Sequence, residues 1–360
     1  MITELRLENF KGHVDTKLSL KRLTMLVGDN GSGKSSVLEA LRLPAELMSY
    51  TDRSSRWAPP DSVLELLHRG ASGMTLSLQG AVGVERWSTS ISIAPPSNSQ
   101  RDIVAIVRVR PAGQSFESFN GENTSYVHYL RPMLELVGDS RLFRLRPEQV
   151  AAAAYSDQPD AVVAEDGGQT AVVLAALKLA DDEVFERIEL AMRRLVPVLK
   201  RVRIKPAKVR HPAHESEVIG SKLYFDFQGA QDVPAHHASH GTLVVLSLLT
   251  VMYGPKKPAQ ILLDDFDQAL HPRAQMELVR MLKELLELPD FKETQLIATT
   301  HSPYVLDELE PENVIAFALR DDGSVASKPL SEHPDAAKTR GALKSGELWS
   351  LDAERNWVLT

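Results

Sequence analysis

The sequence predicts an α/β fold in which a mixed core sheet is flanked by helices and accompanied by an antiparallel β subdomain. Near the N-terminus, the strand-like segment RLTMLVG leads through a glycine-rich stretch into a helical pattern. Between about residues 74 and 110, three alternating segments separated by turn residues indicate an antiparallel sheet. In the C-terminal third, strand-like and helical segments alternate, as they do where the strands of a sheet are parallel.

The predicted elements follow in order along the chain. ITELRLENF alternates as a strand does, RLTMLVG is a buried strand, and SSVLEALRL is a helix that Pro44 is expected to interrupt. Residues 169–196 are helical, and their apolar face is formed by Val184, Phe185, Ile188, Met192 and Leu195. A basic β-like stretch and an apolar helix at about 240–253 come next. They precede a strand ending at Asp264, a helix opening with Pro272 and the strand QLIATT.

The composition limits the function classes. The 360 residues include 43% apolar side chains, enough to bury a core, and no cysteine, which excludes disulfides and cysteine-based zinc sites. The formal net charge of −7 argues against a surface that coats nucleic acid, so any DNA contact must be local. MITELRLENF lacks the apolar run of a signal peptide, and the longest apolar stretch, near LVVLSLLTVMY, is too short to cross a bilayer. A soluble cytoplasmic protein without a membrane contact is therefore predicted.

The strongest chemical signal is GDNGSGKS, from Gly28 to Ser35, which has the form G-x-x-x-x-G-K-[ST] between a predicted strand and a predicted helix. Its glycines let backbone N–H groups curl around phosphate oxygens, Lys34 reaches the β and γ phosphates, and the Ser35 hydroxyl ligates Mg²⁺. Ser36, one position later, is a poorer metal ligand. The residues expected to bind ATP and Mg²⁺ here are Gly28, Asn30, Gly31, Ser32, Gly33, Lys34, Ser35 and Ser36.

Three aspartates follow an apolar strand in ILLDDFDQALHP. Carboxylates at the end of a buried strand are costly unless a positive charge neutralises them, and the Mg²⁺ of a phosphate-binding loop supplies that charge. Asp264 is the expected metal ligand, and Asp265 stands where a general base would orient or deprotonate the water that attacks the γ-phosphate. Asp267 lies in the loop that follows. The alternative is a surface acidic turn without a metal, although apolar runs rarely end in paired acids without such a role.

Two further segments carry candidate residues. In ASHGTL, Ser239 begins an apolar helix, where its hydroxyl and the helix dipole suit an anion; a plain N-cap explains the pattern equally well. In ATTHSP, His301 stands at the carboxyl end of a strand, where open α/β sheets bind ligands. His236 and His240 would form a metal-binding pair if helical, but no acid completes the ligand set.

In their order along the chain, ENFKGH, GDNGSGKSS, ASHGTL, ILLDDFDQALHP and TTHSP resemble the motifs of ABC-type P-loop ATPases of the RecF, SMC-head and OLD group. The resemblance spans nearly the whole chain and is closest to stand-alone bacterial ATPases of the OLD-like kind. It implies one ATPase domain over residues 1–360, with an N-terminal lobe (1–150), a helical segment (151–210) and a C-terminal lobe (211–360).

The resemblance also implies roles for the matching residues. Lys34 and Ser35 belong to the Walker A motif, and Asp264 belongs to the Walker B motif. Ser239 and Gly241 match the signature motif, which would contact the γ-phosphate bound by the opposite subunit. Two ATP molecules would then be held between two head-to-tail subunits, in a homodimer or a higher homo-oligomer.

The remaining motifs match with departures. His301 matches a switch histidine that contacts the γ-phosphate, and Asp267 matches the loop that communicates between the two sites. Where the family usually has D-E-P-E, Asp265 replaces the glutamate and Phe266 the proline, and Ala269 replaces a usual glycine. The shorter side chain retracts the carboxylate by about 1.5 Å. Because a misplacement of about 1 Å can cost about 100-fold in rate, slow hydrolysis is expected.

The absence of other modules narrows the expected function. No coiled-coil arm divides the ATPase, and the roughly 60 residues after His301 carry no acidic nuclease motif. By analogy, the chain resembles ATPase subunits of anti-phage defence systems, which regulate a separately encoded effector, here expected to be a nuclease. A RecF-like DNA-repair ATPase is the alternative. The nucleotide-binding subunit of an ABC transporter is a further one, although ASHGTL departs from the L-S-G-G-Q form of transporters.

Two questions stay open at the level of sequence. The segment from Arg193 to Arg210 has eight basic residues and no acid, which suits DNA phosphates but also a solvated face or a subunit contact. The family's Q-loop glutamine is Gln79 or Gln149, and neither lies in a diagnostic setting.

Overall fold

The computed structural model describes residues 1–49, 61–82, 85–94, 104–111, 116–119, 139–158, 160–211, 216–254, 256–336, 338 and 342–360. The chain forms two compact units whose segments interleave along the sequence. The first unit comprises Met1–Leu142, Pro258–Leu263 and Lys292–Thr360, and the second comprises Phe143–Lys257 and Asp264–Phe291. The lobes expected from the sequence are contiguous stretches that do not coincide with these units, and they stay a prediction.

In these residues the strands are β1 (Ile2–Phe10), β2 (His13–Ser19), β3 (Leu23–Gly28), β4 (Met74–Val82), β5 (Glu85–Ala94), β6 (Val104–Pro111), β7 (Phe116–Phe119), β8 (Ser140–Phe143), β9 (Leu199–Arg210), β10 (Glu217–Phe227), β11 (Ala230–Pro234), β12 (Gln260–Leu263), β13 (Gln295–Thr299), β14 (Val314–Leu319) and β15 (Val325–Pro329). The α-helices are α1 (Lys34–Ser49), α2 (Pro147–Ala151), α3 (Thr170–Ala180), α4 (Asp182–Leu195), α5 (His240–Tyr253), α6 (Pro272–Leu286), α7 (Pro303–Leu306), α8 (Ser345–Ser350) and α9 (Glu354–Val358).

An antiparallel sheet in the first unit has the strand order β2-β1-β4-β5-β6-β7. Its strands β4, β5 and β6 are the three successive strands that the alternating pattern predicts. Leu5 and Leu7 on β1 pair with Leu78 and Leu76 on β4, and all four side chains are buried. The period-two pattern of apolar residues therefore supplies one buried face of this sheet.

The core sheet of the first unit has the order β15-β14-β3-β13-β12-β8. Strands β12, β13, β3 and β14 pair in parallel, whereas β15 pairs antiparallel with β14, so the sheet is mixed as predicted. Because parallel strands point the same way, the carboxyl ends of β12, β13 and β3 lie along one edge of the sheet. The segments GDNGSGKS and TTHSP both start from this edge.

The helix α1 continues through Pro44, so the prediction that this proline interrupts it was wrong. A proline inside a helix removes one backbone hydrogen bond and costs about 3 kcal/mol. Val37, Leu38, Leu41 and Leu43 are buried along the same helix. Full burial of each such side chain contributes about 1.5–3 kcal/mol, so packing offsets the loss.

A buried glutamine joins the two sheets of the first unit. Gln295 on β13 donates hydrogen bonds to the carbonyl oxygens of Ile2 and Lys21, at 2.7 and 2.9 Å, and accepts one from the Ile2 N–H at 3.1 Å. Gln260 donates to the same Gln295 side chain at 3.1 Å and accepts from the Ser140 hydroxyl at 2.7 Å. Both amides are buried and paired, as the cost of burying polar groups requires.

The second unit combines helices with a three-stranded antiparallel sheet of order β11-β10-β9. Helix α5 is buried from Gly241 to Met252, which explains why its sequence is apolar on every face. Helix α4 buries most of the predicted apolar face, namely Phe185, Ile188, Met192 and Leu195. Val184, the remaining residue of that face, is half-buried.

Helix length limits what the described part of the chain can form. Its longest helix, α1, has 16 residues, so these residues include no arm of coiled-coil length. In the same residues, no helix combines the length and the apolar character that crossing a membrane would need.

Candidate functional site

The glycine-rich motif forms a tight loop between β3 and α1. Gly28, Gly31 and Gly33 have φ angles of 138°, 77° and 98°, which glycine adopts without steric cost. A Cβ atom on Gly28 would lie 2.3 Å from the Phe317 carbonyl oxygen, so no larger residue fits there. The loop runs directly into the N-terminus of α1, where unsatisfied backbone N–H groups and the helix dipole favour an anion.

Lys34 is folded back onto this loop. Its Nζ atom donates hydrogen bonds to the carbonyl oxygens of Gly28 and Asp29, at 2.8 Å each, and the residue is buried. Phosphate oxygens bind an ammonium group more strongly than neutral carbonyl oxygens do, so a phosphate can take their place. Ser35 and Ser36 are half-buried in the first turn of α1.

The other loop residues divide into exposed and buried ones. Asn30 and Gly31 are exposed, and a Cβ atom on Gly31 would meet nothing within 4 Å, so this part of the loop is open. Ser32 is buried, and its hydroxyl has no hydrogen-bond partner in the described structure. That hydroxyl lies 3.1 Å from the Cβ position of Gly28, so it faces the base of the loop.

His13, the first residue of β2, contacts the glycine-rich loop through a hydrogen bond. Its Nε2 atom lies 3.1 Å from the Gly33 carbonyl oxygen, and its Nδ1 atom lies 3.0 Å from the Thr16 hydroxyl. Since a carbonyl can only accept, Nε2 carries the proton and Nδ1 accepts from Thr16. Burial lowers the pKa of His13 to about 4, against the opposing effect of the Gly33 hydrogen bond. The sequence analysis did not single out this residue, whose only signal is its place in ENFKGH.

His301 is the second residue after β13, at the expected carboxyl end of a strand. The pairing with β3 extends past the strand, because the Thr300 N–H donates to the Leu26 carbonyl oxygen at 3.1 Å. His301 itself is exposed. It therefore stands at the sheet edge from which the glycine-rich loop also starts, while its role as a phosphate sensor stays a prediction.

Asp264 and Asp265 occupy the two positions after β12. The Asp264 N–H donates to the Phe143 carbonyl oxygen at 3.0 Å, and its carboxylate accepts a hydrogen bond from Arg144 Nε at 2.9 Å. Asp265 has a φ of 50°, and its carboxylate accepts from Gln268 Nε2 at 3.0 Å. Aspartate adopts this left-handed backbone more readily than most residues, which suits it to position 265.

The loop after the aspartates packs against the start of α5 within the second unit. Asp267 is buried, and its carbonyl oxygen accepts from Gln275 Nε2 at 3.1 Å. Ala269 has a φ of 62°, the conformation for which glycine is usual at this place in the resembling family. A Cβ atom on Gly241 would lie 2.8 Å from the Ala269 carbonyl oxygen, so the close approach requires glycine.

Ser239 is the N-cap of α5. Its hydroxyl accepts from the Thr242 N–H at 3.2 Å, and the residue is exposed. A phosphate-contacting role for Ser239 with Gly241 stays a prediction. His236 lies in the short turn Ala235–His237 and His240 in α5, so the two histidines do not share a helix face.

The metal expected at this site is Mg²⁺, whose ligands are oxygen atoms. Across the part of the chain that the structure describes, no group of three or more His, Cys, Asp or Glu side chains is placed to hold a metal ion. Mg²⁺ needs no such cage, since it commonly takes one or two protein oxygens together with phosphates and water. The Ser35 hydroxyl and the Asp264 carboxylate are each a donor of the kind that suits Mg²⁺.

The basic segment from Arg193 to Arg210 is largely neutralised within the second unit. Arg194 pairs with Glu277 and Glu284 at 2.7 Å each, which raises the pKa of the guanidinium. The other pairs are Arg193–Glu189, Arg203–Asp226, Lys205–Asp232 and Lys208–Glu217. Because at least five of the eight basic side chains have carboxylate partners, the segment offers less charge to DNA phosphates than its composition suggests.

The Q-loop assignment stays open. Gln79 on β4 donates to Glu4 Oε1 at 3.1 Å on the antiparallel sheet, and Gln149 is exposed in α2. A side chain that does contact Asp264 is that of Arg144, which the sequence analysis did not identify. Its only signal is a basic residue directly after the apolar end of β8.

Solved structures with a similar fold include SMC head domains. A crystal structure of an Smc head bound to the C-winged helix domain of ScpA matches 92% of this chain and 98% of that chain, with a TM-score of 0.59 and 16% identity. An Smc head with an extended coiled coil, bound to the C-terminal domain of ScpA derived from Pyrococcus furiosus, matches 94% and 98%, with a TM-score of 0.52 and 16% identity. The fold is thus that of SMC-head P-loop ATPases.

Sequence families agree with the fold. Residues 135–307 match the family described as "AAA domain, putative AbiEii toxin, Type IV TA system", and residues 1–54 match the AAA ATPase domain. Two stretches of the chain thus match families of AAA-type ATPases, and the resemblance drawn from its motifs is confirmed.

Curated relatives match short parts of the chain. The DNA double-strand break repair Rad50 ATPase of Methanopyrus kandleri is 36% identical over 77 residues, which are 20% of this chain. The Septu protein PtuA of Bacillus thuringiensis is 33% identical over 70 residues, which are 19% of this chain. The chain spans 9% of the length of the first relative and 16% of that of the second.

Proposed function

We propose that the protein is an ATP-dependent switch that dimerises around Mg²⁺–ATP, hydrolyses it slowly and regulates a separately encoded effector, a nuclease. ATP binding rests on one observation, the loop between β3 and α1. In it, three glycines have positive φ angles and the Lys34 ammonium group lies on two loop carbonyls. This arrangement presents backbone N–H groups and a movable positive charge to a polyphosphate.

Each residue of the proposed site has a distinct task. Lys34 exchanges the loop carbonyls for phosphate oxygens, and Ser35 and Asp264 hold Mg²⁺. The bound metal supplies positive charge that offsets the charge developing on the transferred phosphoryl group. Asp265 orients or deprotonates the attacking water, and His301 contacts the γ-phosphate.

Dimerisation completes the proposed site. Ser239 and Gly241, at the start of α5, contact the γ-phosphate bound by the opposite subunit, and Asp267 lies in the loop between the two sites. The order of the motifs and the SMC-head fold support this arrangement. A sedimentation experiment with and without Mg²⁺–ATP, using Asp265→Asn to slow hydrolysis, tests it; a monomer under both conditions would contradict it.

A defence role, with control of a nuclease, is the proposed context. It is supported by the similarity to the Septu protein PtuA and by the AbiEii description of the matching family. A RecF-like repair function is the second candidate, favoured by the similarity to the Rad50 ATPase. ATP-dependent, salt-sensitive binding to DNA would favour repair over defence. The transporter alternative is weakest, because ASHGTL lacks the L-S-G-G-Q form.

Nucleotide titration tests the central assignment. Lys34→Ala should abolish ATP binding, whereas Lys21→Ala, which removes an exposed lysine of the same unit, should leave it intact. Unchanged affinity in Lys34→Ala would contradict the phosphate-binding role. Steady-state phosphate release by the wild type beside Asp265→Asn then tests hydrolysis: activity that the variant loses identifies Asp265 as the base.

A further inference from the structure

An ion pair in the second unit involves the proposed metal ligand. Arg144 directly follows β8, and its N–H donates to the Glu165 carbonyl oxygen at 2.9 Å, which fixes its backbone. From there its Nε atom donates to Asp264 Oδ2 at 2.9 Å. The side chain of Asp264 is 10% exposed and that of Arg144 is 47% exposed. The carboxylate is therefore nearly enclosed, while its partner lies partly in solvent.

A nearly enclosed carboxylate needs a positive neighbour, because an ionised group is costly to remove from water without one. Arg144 supplies that charge in this structure. Mg²⁺ would bind the same carboxylate directly, since its protein ligands are oxygen atoms. Two cations at one carboxylate repel each other, so Arg144 and Mg²⁺ compete for Asp264.

We propose that Arg144 is the metal-exchange residue of the ATPase site: it neutralises Asp264 while no metal is bound and leaves the carboxylate when Mg²⁺ arrives. The proposal rests on the Mg²⁺–ATP binding proposed above. The half-exposed side chain can swing away into solvent without loss of core packing. Arg144 therefore raises the Mg²⁺ concentration that loads the site.

The test is equilibrium binding of a fluorescent, non-hydrolysable ATP analogue during titration with MgCl₂. Arg144→Gln should lower the Mg²⁺ concentration for half-maximal binding about fivefold, because the free energy of a half-exposed ion pair corresponds to about that factor in an equilibrium constant. Arg144→Lys, which keeps the charge, should lower it less. Arg146→Gln is the matched control, because Arg146 is also exposed and its N–H is similarly anchored, on the Asp166 carbonyl oxygen at 2.8 Å. It should behave as the wild type does.

A measurement on the metal-free protein tests the ion pair without nucleotide. Arg144→Gln should lower the thermal unfolding midpoint, because it removes the guanidinium charge that lies beside the nearly enclosed Asp264 carboxylate. Adding Asp264→Asn to that variant should restore most of the loss. Additive effects of the two substitutions would show that the groups do not interact.

The outcomes separate this inference from the proposed function. If the wild type binds the analogue with Mg²⁺ dependence and Arg144→Gln has the same Mg²⁺ midpoint, the role of Arg144 is overturned and ATP binding stands. If Asp264→Asn leaves the Mg²⁺ midpoint unchanged, Asp264 is not the metal ligand, and both assignments fall. If the wild type binds no nucleotide, the proposed function fails and the inference fails with it.

Discussion

His13 makes the stability of the protein depend on pH. Burial lowers the pKa of this histidine from 6.5 to about 4; the Gly33 hydrogen bond opposes this shift and the Lys11 charge adds to it. As the pH falls through 6.5, the unfolded chain takes up a proton at His13 while the folded protein does not. The free energy of unfolding therefore decreases from about pH 6.5 downwards, and this loss is complete near pH 4.

The magnitude follows from the two pKa values. The difference between 6.5 and about 4, at about 1.36 kcal/mol for each pKa unit, amounts to about 3 kcal/mol. His13→Gln removes the titrating ring and keeps an amide that can donate to the Gly33 carbonyl oxygen. The variant should lack this part of the pH dependence. The carboxylates titrate in both proteins, so their contribution cancels when the free energy of unfolding of the variant is subtracted from that of the wild type. The pH dependence of the difference is then the contribution of His13.

Urea unfolding of the wild type and of His13→Gln at pH 7, 6, 5 and 4.5 measures this difference. At pH 7 the two proteins should differ little. By pH 5 the wild type should have lost about 2 kcal/mol more than the variant has, since pH 5 lies about 1.5 units below the pKa of the unfolded chain. Parallel curves across this range would refute the reasoning, because they would mean that His13 titrates alike in the folded and unfolded states.

Three further predictions concern single side chains. Ala269→Gly should raise the free energy of unfolding by about 1 kcal/mol, because a left-handed φ costs alanine about that much; thermal unfolding measures it, and a decrease would contradict it. Gln295→Leu should lower the free energy of unfolding by about 2 kcal/mol, since the buried N–H and carbonyl groups of Ile2 both lose a partner, whereas Gln79→Leu at an exposed position should have little effect. Asp265→Glu should raise the rate of phosphate release by up to about 100-fold, by extending the carboxylate about 1.5 Å; an unchanged rate would show that side-chain length does not limit hydrolysis.

Most of the fold could be predicted because it depends on local pattern. The alternation in β4, the buried run of β3 and the all-apolar helix α5 each specify an element without knowledge of distant residues. The glycine-rich loop could also be predicted, since its spacing is set by backbone conformations that few residues other than glycine adopt. Pro44 was misjudged because the local cost of a proline is visible in the sequence, whereas the packing that offsets it is not.

The supporting contacts of the site could not be predicted, because each joins residues far apart in the chain. His13 lies 20 positions from Gly33, and Arg144 lies 120 positions from Asp264. Neither pair has a pattern of its own: a histidine after a turn and an arginine after a strand are common in any sequence. Their importance follows only from burial and from the particular atom that each contacts.

The loop after β12 has two residues with a left-handed backbone. One is the candidate base Asp265, and the other, Ala269, lies against the candidate signature residue Gly241. Asp265 and Ala269 have φ angles of 50° and 62°, and this left-handed backbone costs the alanine about 1–2 kcal/mol. Strain of this kind persists where neighbouring contacts over-determine the backbone, as they do at functional sites. Here the Ala269 carbonyl approaches Gly241 so closely that a Cβ atom there would lie 2.8 Å away. Four positions of chain therefore separate Asp265 from the residue whose carbonyl lies against the start of α5.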